Sequence, residues 1–272
     1  EAVSQVITRI NYGQSVEISG FAGGVSLAGS GSGLWAVEGG NWQLAAGLIQ
    51  RSGVDLHLSE EITSISDHGG GVYQLNSSKG NSFDCHVVVV ATPLDELDIR
   101  FVPGITIPPR KMHHTHATFV RGLLNPAYFG MGDASDIPDL VGTVESDDIP
   151  FSSISVLDAD KEGDTIYKIF SRKTMTDSLL DDIFSMRKET VRIDWAAYPH
   201  YHAPEEYAPF VLDGKHLYYV NTFENAASAI EASAVAAENV ARLVVSRRAG
   251  RRGASKLKAF GAADSPHLHY EL

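Results

Sequence analysis

The run His86-Val87-Val88-Val89-Val90-Ala91, halted by Thr92-Pro93, constrains this chain more than any other segment. A continuous β-branched run, with no polar residue at alternate positions, predicts a strand buried on both faces, as in a parallel sheet covered by helices. In such folds the ligand loops lie beyond the carboxyl ends of the strands, which is where Thr92 and Pro93 fall. Leu217 to Val220 reads as a second short buried strand. It leads into a long helix, about Ala226 to Val245, with Ile230, Ala234, Ala237, Ala241 and Val244 along one stripe. That alanine-rich stripe predicts close approach of the backbone to a sheet or a ligand. Each α/β piece is too small to bury its own faces, so the two are expected to join one sheet that the intervening residues interrupt.

Ahead of the valine run the chain is punctuated by turns. Gly20 to Gly33 is rich in glycine, alanine and serine, and fits either a tight loop or a close-packed helix-turn segment. After Glu38-Gly39-Gly40-Asn41, Trp42 to Arg51 has helical spacing. Val54 to Leu58 reads as a strand and Glu61 to Ser66 as a further extended piece. Gly69-Gly70-Gly71 and Ser77-Ser78-Lys79-Gly80 turn the chain on either side of Val72 to Asn76. From Phe101 to about Leu212 the texture becomes mixed and proline-punctuated, which reads as a separate α+β lobe.

A formal net charge of −12 argues against a general role on nucleic acid, whose phosphates would repel the chain. The basic cluster Arg247, Arg248, Arg251, Arg252, Lys256 and Lys258 reads as a solvated helix end. The single cysteine, Cys85, rules out an intrachain disulfide and a thiolate metal cluster, and beside the valine run it reads as a buried, inert thiol. No metal-ligand box is found. No apolar run approaches the roughly 20 residues a membrane helix needs, although association with a membrane surface is compatible with the sequence. Glu1 opens the chain without a basic-then-apolar leader, so the start of the gene product is expected to be absent.

Parallel strands invite a search for a phosphate-cradling glycine turn. Gly29-Ser-Gly31-Ser-Gly33 has the wrong spacing, and Gly130-Met-Gly132 follows no strand and meets Pro138, so neither is a dinucleotide fingerprint. Other segments are more telling. Gly33 to Leu48 (GLWAVEGGNWQLAAGL) resembles the glycine-glycine-helix segment of amine-oxidase-like flavoproteins, and Val87 to Pro93 (VVVVATP) their strand-and-turn. Trp195 to Tyr201 (WAAYPHY) is similar to their W-x-x-x-P-x-Y segment. Leu217 to Ala241 is similar to the last strand, cofactor turn and helix that close their flavin site. Those proteins usually have Gly-Asp after that strand; here Asn221-Thr222-Phe223-Glu224 follows, and Glu224 is the candidate for the carboxylate. Within that superfamily, Thr8 to Gln14 (TRINYGQ), Ser32 to Asn41 (SGLWAVEGGN), Tyr167 to Phe170 (YKIF), Ala197 to Tyr201 (AYPHY) and Ala226 to Ala237 resemble the prenylcysteine oxidase, or farnesylcysteine lyase, family. These strings are collinear and span nearly the whole chain.

The resemblance implies an α/β fold: the C-terminal part of a two-domain FAD-binding flavoprotein, with a parallel sheet, helices and an inserted α+β substrate lobe. Its expected parts are a substrate-lobe segment at 1–33, FAD-domain segments at 34–100 and 213–250, the substrate lobe at 101–212 and a tail at 251–272. It implies FAD as cofactor, and prenylated cysteine and molecular oxygen as partners. The products are then free cysteine, a prenyl aldehyde and hydrogen peroxide. Gly39, Gly40, Ile62, Thr92, Pro93 and Glu224 are the expected cofactor contacts. Tyr198, His200 and Tyr201 are candidates for the flavin-facing wall, and a long apolar cavity for the prenyl tail is expected within the 101–212 lobe. A non-catalytic isoform or binding module, or another flavin amine oxidase or desaturase, are the alternatives. Asn76-Ser77-Ser78, an acceptor sequon read as lying at a hairpin turn, and the terminal His269-Tyr270-Glu271-Leu272, loosely like a retention signal, point to an endomembrane lumen.

Overall fold

A computed structural model of the chain describes residues 2–30, 35–159 and 164–249. Three helices open it: α1 (Ala2–Tyr12), α2 (Gly20–Ala28) and α3 (Trp42–Ser52). The ambiguous glycine-alanine-serine segment is thus helical from Gly20, with the Ser19 side chain accepting from the Ala22 N–H at its start. An antiparallel meander follows, β1 (Ile62–Asp67), β2 (Tyr73–Ser77) and β3 (Ser82–Cys85), turned at Gly69-Gly70-Gly71 and Gly80. All four of these glycines have positive φ, the region that favours glycine. After it come β4 (Val88–Val90) and β5 (Arg100–Val102), the latter pairing parallel with β1.

The next hundred residues build a five-stranded antiparallel sheet. Its members are β6 (Met112–Leu124), β7 (Leu140–Gly142), β8 (Ser153–Ala159), β9 (Thr165–Ser171) and β10 (Phe184–Pro199), in the order β10-β6-β9-β8-β7. The short α4 (Asp177–Ile183), capped by Thr176, closes one side. The core beneath it gathers Val120, Ile154, Ile169, Leu180 and Ile183, all essentially inaccessible. Helix α1 lies against this sheet, with Arg9 fully buried, paired with Glu145 and donating to the Phe151 carbonyl at 3.2 Å.

Then the chain returns. β11 (Leu217–Tyr219) pairs parallel with β4 in the register Leu217↔Val88, Tyr218↔Val89, Tyr219↔Val90. A 3-10 segment, Val220–Asn225, and helix α5 (Ile230–Ala249) follow. The two sequence-distant α/β pieces therefore do meet in one sheet, across the antiparallel lobe, and their core holds Ile65, Tyr73, Val88, Val90, Leu217 and Tyr219. The fold is mixed α/β, with parallel pairing confined to β4–β11 and β1–β5 and the rest antiparallel.

Several expectations are corrected. The valine strand is buried on one face only: Val88 and Val90 are covered, while Val89 is 46% exposed because no described element packs on its side. Val54 to Leu58 forms no strand. Among the described residues nothing pairs with its backbone, and Val54, Leu56 and Leu58 stand exposed. Helix α3 likewise buries none of its residues. In α5 the covered positions are Ala236 and Val240 rather than the expected stripe, since the helix is rolled so that Ile230, Ala234, Ala237 and Ala241 face outward. Asn76 lies within β2, paired with Ser64 and Ser82, and not in the turn. The tail from 250, with most of the basic cluster and the terminal tetrapeptide, lies outside the described residues.

Gly122 shows how closely β6 and β10 approach. A Cβ there would sit 2.1 Å from the Met186 carbonyl oxygen and 3.2 Å from the Arg187 Cα, backbone atoms that cannot swing aside. Gly122→Ala should therefore destabilise the chain by about 1–3 kcal/mol or more. Thermal denaturation checks it against Gly104→Ala, which meets nothing within 4 Å and should melt as the wild type does.

Candidate active site

The carboxyl ends of β4 and β11 open onto two adjoining cavities. The smaller, about 250 Å³, is walled by Ala91 after β4, by Asn221 and Glu224 after β11, and by Ala232, Ala236 and Ala237 of α5. The larger, about 630 Å³, lies between α2, the 35–41 segment and the start of α5, with Phe21, Val25, Trp35, Phe223, Ile230 and Val235 in its walls. Phe223 and Ala232 belong to both. Small side chains from α5 let the backbone approach the smaller cavity closely. Ala236 among them is buried, while Ala237 is exposed.

Two features hold the polar end in place. Arg110 donates through Nε and Nη2 to Asp95 at 2.8 and 2.6 Å. It also donates to the Asn221 carbonyl at 3.3 Å, the Tyr219 hydroxyl at 3.4 Å and Glu224 at 3.3 Å. Burial would lower the pKa of this guanidinium; the bond to Asp95 and the charges around it, Glu224 included, raise it instead. Glu224 also accepts from the Asn221 amide at 3.5 Å, and the Asn221 Oδ1 is buried with no hydrogen-bond partner. An orphaned acceptor beside a carboxylate is a site prepared for donors.

The second feature is aromatic. Tyr12 stands edge-on to Tyr198 (5.2 Å) and Tyr201 (4.9 Å). The Ser228 N–H donates to the Tyr201 hydroxyl at 2.7 Å, and the Tyr12 hydroxyl donates to the Ser228 carbonyl at 3.1 Å. Burial pushes the Tyr198 phenol up to about 12 and raises Tyr201 well above its ordinary value, so neither is a base near neutrality. His113 stacks on Tyr198 at 5.4 Å, and burial brings its pKa down to about 4, so it is neutral there.

The expected site residues divide. Glu224 walls the smaller cavity, and Thr92 follows Ala91 at its edge, with Pro93 next in the chain. Gly39 and Gly40, both at positive φ, form a tight turn whose neighbour Asn41 reaches the larger cavity. Ile62 instead packs at the edge of the β1 core. Tyr198 and Tyr201 do not line either cavity but support the turn from behind, and His200 is exposed, edge-on to His113 at 5.0 Å. The cavity of about 630 Å³ lies outside the 101–212 lobe, walled by α2 and α5, whereas another of about 510 Å³ lies within the lobe, with Ile149, Pro150, Arg172, Met175 and Leu179 in its walls. Arg110, Asp95, Asn221 and Trp35 were missed. In sequence Arg110-Lys111 after two prolines looks like any solvated basic pair, and only the folded knot distinguishes it.

The fold is similar to that of putrescine oxidase bound to putrescine, at a TM-score of 0.52 and 10% identity, over 76% of this chain and 53% of that one. A family model described as prenylcysteine lyase matches residues 1–255. Farnesylcysteine lyase of Arabidopsis thaliana is 66% identical over 242 residues, 89% of this chain and 48% of that protein. Prenylcysteine oxidase 1 of Homo sapiens is 35% identical over 267 residues, 89% of this chain and 52% of that protein. The chain belongs to the prenylcysteine lyase family, and it spans about half the length of the curated relatives it matches.

Replacing Arg110 by methionine should cost about 3–5 kcal/mol by stranding Asp95, which is only 8% exposed. Chemical denaturation reads the loss. The double variant Arg110→Met with Asp95→Leu should recover much of it, which a purely steric effect of methionine would not allow.

Proposed function

We propose that this chain is the substrate-binding and flavin-closing part of a FAD-dependent oxidase. In this reading a prenylcysteine thioether, oxygen and water become free cysteine, a prenyl aldehyde and hydrogen peroxide. The observation that carries the reading is the apposition of a larger apolar cavity with a smaller one that has Asn221 and Glu224 in its wall, beside the carboxyl ends of β4 and β11. The family membership and the name of the 66% identical relative support the substrate. We place the cofactor's side at 34–100 and 213–250 and the substrate's side at 1–33 and 101–212.

The smaller cavity suits one end of FAD. Asn221 Oδ1 and the Glu224 carboxylate would accept hydrogen bonds from the hydroxyls of the ribityl chain, and Ala227, Ala236 and Ala237 leave it room. No Lys or Arg lines either cavity, and Glu231 stands at the start of α5, so the pyrophosphate is placed elsewhere. When bound, the cofactor supplies the hydride acceptor and passes the electrons to oxygen. The chain's own task is to hold the substrate and exclude water. No base is required of Tyr198 or Tyr201, whose raised pKa values keep them protonated, because the carbon losing hydride is stabilised by both its sulfur and its double bond.

The test uses the complete flavin-loaded protein mixed anaerobically with farnesylcysteine. Bleaching of the flavin absorbance, followed by release of farnesal and peroxide on aeration, is expected; an unchanged spectrum would overturn the assignment. We also propose residence in an endomembrane lumen such as the lysosome, vacuole or endoplasmic reticulum. The Asn76 amide donates to Ser64 at 3.1 Å and accepts from Ser82 at 3.0 Å; a glycan on Nδ2 would leave the carbonyl oxygen and one N–H to keep these bonds. A glycosidase-sensitive mass shift that Asn76→Gln abolishes is the expected result, and cytosolic staining of an unglycosylated protein argues the reverse.

A further inference from the structure

The larger cavity has the character of a hydrocarbon site. Phe21 and Val25 of α2, Trp35, Phe223, Ile230 and Val235 are apolar, and a volume of about 630 Å³ is that of a small-molecule pocket. The Asn41 amide oxygen and the Glu231 carboxylate are accounted for locally. Asn41 Oδ1 accepts from the Val37 N–H at 2.8 Å, and Glu231 lies in the first turn of α5, where the helix dipole favours a carboxylate. A flavin ring, whose edge carries several nitrogen and oxygen atoms, would find few partners in these walls, whereas a hydrocarbon needs none. The neighbouring cavity holds the orphaned Asn221 acceptor and Glu224, and the two share Phe223 and Ala232. A substrate with an apolar tail in the first cavity would thus bring its reactive carbon to the wall of the second.

We propose that this cavity, rather than a cleft within the antiparallel lobe, receives the isoprenoid chain, and that Phe21 and Val25 set the chain length it accepts. The proposal rests on the functional reading above. Because a hydrocarbon makes no directional bonds, selection must come from volume and shape. Val25 points from α2 into the space, and a larger side chain there would shorten it. Phe21 is 56% exposed and stands edge-on to Phe223 at 6.3 Å, so removing its ring would lengthen the space with little demand on the core.

The experiment compares kcat/KM for S-dimethylallyl-, S-farnesyl- and S-geranylgeranylcysteine in the complete flavin-loaded protein. Val25→Trp should lower the farnesyl to dimethylallyl ratio at least about tenfold, the scale of discrimination that a few carbons in an apolar pocket provide. Phe21→Ala should raise the geranylgeranyl to farnesyl ratio, and it serves as the second variant if Val25→Trp fails to retain flavin. A wild type that turns over farnesylcysteine, with ratios unmoved in Phe21→Ala and in any flavin-loaded Val25→Trp, would overturn the cavity assignment alone. A wild type inert toward all three substrates would overturn the functional reading beneath it.

Discussion

A guanidinium taken out of water is costly unless nearly every donor finds an acceptor, and Arg110 meets that condition with four partners from three parts of the chain. Asp95 comes from the loop after β4, Tyr219 from β11, and Asn221 and Glu224 from the 3-10 segment beyond it. The parallel pair it braces is only three residues long on each strand, too short to fix the geometry beyond its ends. With the knot in place, the two crossings of this small sheet are locked together. Glu224 and Asn221 are then presented at one spot, on opposite sides of the same hydrogen bond. The segment between β11 and α5 is tied down further by Thr222, which donates to the Ala208 carbonyl, and by Asn225, which donates to the Glu206 carbonyl at 2.7 Å.

The anchor on the other side is the tyrosine cluster. Tyr12 belongs to α1 and Tyr201 follows β10, yet both hydroxyls bond the backbone of Ser228, one to its carbonyl and one to its N–H. The turn that leads into α5 is therefore held by the antiparallel lobe while the residues before it are held by the Arg110 knot. Such double support is what keeps a site's groups in place through a reaction, since each rotamer is fixed by packing rather than by the ligand. The raised phenol pKa values and the lowered one of His113 have the same origin. Burial penalises the charged form of each, so the cluster remains neutral across the physiological range.

How much of this could be read in the sequence depended on what each signal records. The apolar runs Val88 to Val90 and Leu217 to Tyr219 report burial, and two short buried strands must find each other; their pairing was legible for that reason. Glu224 was singled out through the family resemblance, and the fold sets it in the wall of the smaller cavity. The failures share a cause. Val89, the Val54 to Leu58 segment and the outer alanines of α5 are written as covered surfaces, but no described residue covers them. Periodicity says that a face is apolar and is silent about what packs on it or how far a helix rolls. Arg110 was illegible for the converse reason, since a charged residue signals exposure until its partners, distant in sequence, are folded around it.

The placing of the two cavities follows from the same architecture. The smaller sits where strands end, with Asn221 and Glu224 set among small apolar side chains. The larger is built chiefly from helices α2 and α5, whose side chains there are phenylalanine, valine, isoleucine and alanine. In charge the two are alike. The only full charges on the two linings are carboxylates, Glu224 and Glu231, and the nearby cation Arg110 is committed to Asp95 and Glu224. A ligand carrying two phosphates would meet repulsion here, whereas hydroxyl donors and hydrocarbon would not. On the reading proposed above, the uncharged half of a dinucleotide and an apolar substrate tail would lie side by side at the wall formed by Phe223 and Ala232.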